Sequence, residues 1–130
     1  MYRKDCSVIE IREIDPSASF MTQLQEVDSG PVTVINTFIF PEGEYEAFLD
    51  VWQKDSFVMM ASPGFISAQL HRGLGDSRTV TNVATWESAA QLGAALASDE
   101  FQELLALYPE GTVVYPALER KVAIPGVCEA

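Results

Sequence analysis

Histidine is nearly missing from this 130-residue chain. His71 stands alone, and the two cysteines, Cys6 and Cys128, lie close to opposite ends. A single histidine excludes sites built on two, such as a two-His facial triad or H-E-x-x-H zinc chemistry. Two cysteines are too few for a structural zinc knuckle or an iron–sulfur cluster, so no metal site is expected. Basic residues are also scarce. The 8 Lys and Arg face 19 Asp and Glu, a formal net charge of −11, which sets the electrostatic term against nucleic acid and anionic membranes. There is no apolar run long enough to span a bilayer. The start, Met1-Tyr2-Arg3-Lys4-Asp5-Cys6, leads into acids and not into an apolar signal core. The expectation is a soluble, cytoplasmic protein whose cysteines stay reduced instead of bridging the ends. Gly-rich phosphate loops, G-x-S-x-G elbows and locally spaced nucleophile–base pairs are missing as well.

What is present is 48% apolar residues, enough to close the core of one domain. Residues 1–30 read as an arm. One short alternating stretch, Val8 to Ile14, is stopped by Asp15-Pro16 and followed by polar residues up to Ser29-Gly30-Pro31. Residues 31–130 form the domain proper. Val32 to Phe40 is β-branched and aromatic and reads as a central strand. Pro41-Glu42-Gly43-Glu44 opens a helix that carries Tyr45, Phe48, Leu49, Trp52 and Met59 at helical spacing and stops at Ser62-Pro63-Gly64. Phe65 to Arg72 and Thr79 to Trp86 form a hairpin about a Gly/Asp loop.

Ser88 and Gln91 have capping-box spacing at the start of an Ala-rich helix that is renewed at Ser98-Asp99 and ends before Pro109. A last strand falls between Thr112 and Ile124, broken by Pro116. The order β-α-β-β-α-β predicts an α+β, ferredoxin-like sandwich, with two helices on one face of a four-stranded antiparallel sheet. The first strand is apolar on both faces: Ile35, Thr37 and Ile39 on one, Val34, Phe38 and Phe40 on the other. The uncovered face therefore calls for a partner, and a sheet-to-sheet homodimer, with an arm reaching across, is the economical one.

His71 carries the one side chain that ordinarily titrates near neutrality, and it reads equally well as a half-exposed strand-end residue. Asn82, Ala84 and Trp86 share a strand face, with Asn82 and Trp86 about 13 Å apart. Their amide and indole N–H groups are donors that suit the oxygens of a flat molecule of two or three rings. An ordinary core tryptophan and a backbone-satisfied asparagine fit the residues alone better. Asn36 raises the same question on the first strand. Tyr45, Trp52, Phe65 and the Met59-Met60 pair offer apolar wall and serve a plain core as well.

Pro63-Gly64-Phe65, His71, Asn82 to Ser88 (N-V-A-T-W-E-S) and Ser98-Asp99-Glu100-Phe101 together resemble the antibiotic biosynthesis monooxygenase superfamily, over about Val32 to Pro109. The resemblance implies a dimeric α+β barrel. In the branch that tailors aromatic polyketides, it implies oxidation of phenols or anthrones to quinones by O₂, with no metal, flavin or nicotinamide. Asn82 and Trp86 stand at that branch's Asn-x-x-x-Trp pair, and His71 matches a histidine after the P-G-F strand. Leu92 and Gln102 stand where that branch has a tyrosine and an arginine. A second branch degrades haem. Asn36 and Trp86 match its residues, but Leu105 falls at its axial histidine and cannot ligate iron.

The expected function is thus a cofactor-independent monooxygenase acting on an electron-rich anthrone, naphthol or dihydroquinone. Asn82, Trp86 and His71 would be catalytic, and Asn36, Tyr45, Trp52, Phe65 and Leu105 would bind substrate. A non-oxidative polyketide cyclase or isomerase and a non-catalytic, stress-associated ligand-binding domain are the alternatives on the same scaffold.

Overall fold

The computed structural model describes residues 9–26 and 30–130. The β-branched and aromatic run Val32–Ile39 forms β2, the middle of a five-stranded sheet. It pairs antiparallel with the strand Thr79–Trp86 on one side and with Val113–Glu119 on the other. In chain order the strands are β1 (Glu10–Ile11), β2, β3 (Phe65–Arg72), β4 (Thr79–Trp86) and β5 (Val113–Glu119). Across the sheet they lie β1-β5-β2-β4-β3. From β2 onward this is the expected α+β, ferredoxin-like order. The arm adds a strand to it, because β1 runs parallel to β5 and turns four strands into five.

Among the described residues four helices accompany the sheet: α1 (Phe20–Leu24), α2 (Tyr45–Met60), α3 (Ala89–Leu96) and α4 (Asp99–Leu105). Ser88 Oγ accepts from the Gln91 amide and starts α3, while Ser98 Oγ accepts from the Phe101 amide and starts α4. The Gln91 side chain answers Ser88 through its hydroxyl, at 2.9 Å. Gly64, at φ +93, is required by close approach. A Cβ there would lie 2.6 Å from Gln91 Cβ, so the P-G-F turn packs directly on the first turn of α3.

Two details depart from the sequence reading. Pro116 does not break β5. The amide of Leu118, two residues on, points away from β2 and donates to Gln23 Oε1 at 2.9 Å. The same alternation places the Pro116 nitrogen on that outer side, beyond the end of β1, where no ladder bond is lost. The arm also contains a helix, α1, capped by Ser19 and anchored by Phe20, which is 2% exposed. Five residues with one buried position give no readable period, which is why the pattern missed it. The Cys6–Cys128 question lies outside the described residues on the Cys6 side. Cys128 is exposed, and its Sγ donates to the Val122 carbonyl.

The helix-covered face holds the core. Phe38, Phe48 and Tyr108 form one aromatic cluster, with Phe38 edge-on to Phe48 at 5.1 Å between ring centroids. Phe65 meets Trp86 edge-on at 5.5 Å at the other end of the strands. The opposite face carries Ile35, Thr37, Thr81, Val83 and Tyr115, all partly accessible. Among the described residues no helix is long and apolar enough to cross a membrane.

Phe48 has no exposed surface and touches Phe38, Phe40 and Tyr108. Phe48→Ala is expected to lower the unfolding free energy by about 3–5 kcal/mol, measured by urea denaturation.

Candidate active site

The two aromatic clusters hold the helix layer off the middle of the sheet. Between them the face carries Val34 and Asn36 on β2 and Asn82 and Ala84 on β4, and a cavity of about 450 Å³ opens above these residues. Small-molecule sites span roughly 300–1,000 Å³. Trp52, Met59 and Met60 from α2, Leu92 and Leu96 from α3, and Phe101 and Leu105 from α4 wall it. Ile9 and Phe20 of the arm close one side.

Asn36 and Asn82 are direct cross-strand partners, so their side chains lie together on the cavity side. The Oδ1 atoms of both are buried and have no hydrogen-bond partner. A buried acceptor left unmet costs about 1–3 kcal/mol, so two side by side in a cavity wall mark a place where a ligand or water completes the bonding. Trp86, 2% exposed, lies on the same face, four residues along β4.

Of the residues expected at the site, Asn36, Trp52, Phe65, Asn82, Trp86 and Leu105 line this one cavity. Two lie elsewhere. His71 pairs with Thr81, one step out of phase with the Leu70–Asn82 pair, so it faces the open side of the sheet and is exposed. The hairpin register decides this, and composition carries no information about it. Tyr45 sits at the start of α2 outside the cavity. The Arg72 guanidinium stacks on its ring at 3.7 Å, and Phe40 packs at 5.3 Å. Gln102 is spent on structure, its amide donating to the Leu96 carbonyl at 2.7 Å and tying α4 to the end of α3.

One group went unnoticed in the sequence. Asp55, on the inward side of α2, lines the cavity and accepts a hydrogen bond from the Tyr108 hydroxyl at 2.5 Å. Tyr108 itself is 2% exposed. Burial pushes the Asp55 carboxyl up to about 7, with the Tyr108 hydrogen bond pulling weakly the other way. Asp55 and Tyr108 are the only titratable side chains lining the cavity among the described residues. The readable signal was an acid three residues after Trp52, inside an otherwise apolar helical stripe.

The fold and this amide-floored, largely apolar cavity define a candidate small-molecule site between helices and sheet. Residues 31–107 match the family model described as antibiotic biosynthesis monooxygenase, and the chain belongs to that family. A candidate monooxygenase from Shewanella loihica PV-4 is 32% identical, with a TM-score of 0.64 over 75% of this chain and 99% of that one. SnoaB, a cofactor-independent oxygenase from Streptomyces nogalater, shares the fold at 20% identity and a TM-score of 0.68, again over 75% of this chain and 99% of its own. A candidate antibiotic biosynthesis monooxygenase from Bordetella bronchiseptica shares it at 23% identity and 0.63, over 72% and 99%. No curated protein sequence matches the chain.

Asp55 leaves a mark on stability. Its folded value near 7 lies above the unfolded carboxylate value of roughly 3.9, so the folded state holds the proton more tightly. This contribution is fully present below about pH 4, is lost as pH rises toward 7, and reaches up to about 4 kcal/mol. Asp55→Asn removes that loss. Its stability relative to the wild type is expected to rise from about pH 5 to about pH 8 in urea melts.

Proposed function

We propose that the protein is a cofactor-independent monooxygenase that oxidises an electron-rich phenolic aromatic, of the anthrone, naphthol or dihydroquinone type, to a quinone with O₂. The observation that carries this reading is the Asn36–Asn82 amide pair with Trp86 on the floor of a largely apolar cavity. Membership of the monooxygenase family and the shared fold of SnoaB support it.

Triplet O₂ reacts slowly with closed-shell molecules, but a deprotonated polyphenol reduces it directly. The protein's task is to bind, to stabilise the oxyanion and to exclude water. The Asn82 amide N–H and the Trp86 indole N–H donate to the developing oxyanion. The Asn36 and Asn82 carbonyl oxygens accept from neighbouring substrate hydroxyls. Trp52, Phe65 and Leu105 press on the rings and keep water away. The balance closes without an added reductant. One oxygen atom enters the aromatic, two hydrogens leave it, and the second oxygen departs with them as water.

Asn82→Ala and Trp86→Phe are each expected to lower kcat for O₂ uptake with an anthrone on the order of 10²-fold. Unchanged uptake in both variants overturns the reading. A product of unchanged mass places the chemistry with cyclases or isomerases.

We also propose that the open sheet face is covered by a second copy of the chain. Ile35, Val83 and Tyr115 give it an apolar middle that a lone sheet leaves wet. Ile35→Glu is expected to shift the sedimenting species from dimer to monomer. A monomeric wild type overturns this.

A further inference from the structure

The proposed oxygenation needs a proton acceptor beside the substrate, and His71 faces the other side of the sheet. We infer that Asp55 is that acceptor and that Tyr108 is the residue positioning it, so that the substrate is a phenol or an enolisable ketone ionised inside the cavity. This rests on the monooxygenase reading and deepens it.

Three observations carry the assignment. Asp55 lines the same cavity as Asn36, Asn82 and Trp86. Its Oδ2 is held at 2.5 Å by the Tyr108 hydroxyl, which leaves the second carboxylate oxygen for a ligand. Every other element packed around the cavity presents neutral groups: Asn36 and Phe38 from β2, Asn82 from β4, Leu92 from α3 and Leu105 from α4. Lys54, its neighbour on α2, is turned outward and paired with Asp50 at 3.0 Å. A carboxylate among neutral walls has no ion pair to neutralise it, and burial holds it near 7, where a general base works best at neutral pH.

The step is a simple transfer. The acidic substrate bond breaks, the O–H of a phenol or the α C–H of an enolisable ketone such as an anthrone; its electron pair comes to rest on the substrate oxygen, and an O–H bond forms on Asp55. Asn82 and Trp86 hold the oxyanion, and O₂ takes electrons from it. Tyr108 keeps one carboxylate oxygen occupied, which fixes the direction of the other.

O₂ uptake with an anthrone, followed from about pH 5 to 9, tests this. Wild-type kcat is expected to rise with pH along a limb centred near 7. Asp55→Asn is expected to lower kcat 10²–10⁴-fold with little change in KM and to abolish that limb. Tyr108→Phe, which loses the hydrogen bond that orients the carboxylate and lowers its value, is expected to lower kcat by less than Asp55→Asn does, with KM little changed, and to move the limb to higher pH. An Asp55→Asn enzyme with wild-type kcat and pH profile overturns the assignment and leaves the oxygenase reading standing.

A wild type that consumes no O₂ overturns the oxygenase reading instead. The acceptor role then answers to calorimetry with a dihydroxyanthraquinone, which is not oxidised. At pH 7, binding is expected to release protons from the wild type and not from Asp55→Asn. Equal proton exchange in the two proteins overturns the role.

Discussion

Two amides facing each other across the central strands set the terms for the rest of the molecule. Asn36 and Asn82 are in register, on the helix-covered face, and both carbonyl oxygens are buried without a partner. A fold selected for stability alone would place valine or isoleucine there, since β2 and β4 are otherwise rich in them. The penalty is tolerated because the strand ends are heavily packed. Phe38, Phe48 and Tyr108 pack together at one end, and Phe65 meets Trp86 at the other. The two clusters act as pillars, and the polar pair lies in the span between them.

That span stays open because of what the helices bring to it. The same cavity is walled by Met59, Leu92, Leu96 and Leu105, apolar groups that offer the carbonyls nothing. The beta strands contribute Ala84 and Ala68, whose single methyl groups leave the volume unfilled. The arm completes the wall. Ile9 and Phe20 reach the cavity from outside the stretch that matches the family model, residues 31–107. Phe20 is fixed from both sides, by its own amide on Glu13 Oε1 at 2.8 Å and by the bond from Leu118 to Gln23 in the same helix. Cavity size at that end is thus set by residues outside the matched stretch, while Asn36, Asn82 and Trp86 lie within it.

How much of this the sequence disclosed follows from the range of each interaction. Strand and helix order was readable because β-branched runs, the Ser88 and Ser98 caps and the P-G-F turn are local signals. That Asn82 and Trp86 share one face of their strand was readable too, since alternation fixes it; which face the helices cover was not. The facing of His71 was not. It depends on the bulge between Phe65 and Ser67 and on hairpin register, and a shift of one residue reverses it. Asp55 was hidden for the opposite reason. An acid on a helix is ordinarily solvated, and only the tertiary contact with Tyr108, 53 residues away, shows that it faces inward. Pro116 misled because proline breaks central strands, whereas β5 turns that nitrogen toward an edge where β1, ending at Ile11, offers no ladder partner, and the residue itself is buried.

The absence of histidine from the cavity changes the electrostatics of the proposed reaction. A neutral imidazole taking a phenol proton would create two charges, an imidazolium and a phenolate, in a low-dielectric space. A carboxylate taking the same proton creates none, because one negative charge moves from Asp55 to the substrate oxygen. The desolvation already borne by the protein, visible as the carboxyl pushed up to about 7, is relieved as the proton arrives. What the cavity must then supply is a better home for the charge at its destination. Neutral donors suffice for that, and Asn82 and Trp86 are neutral. A cationic group would hold the phenolate more tightly but would also lower its reducing power toward O₂. In the proposed reaction, a site walled mostly by hydrocarbon, floored by amides and, among the described residues, charged at one carboxylate would keep the substrate anion both formed and reactive.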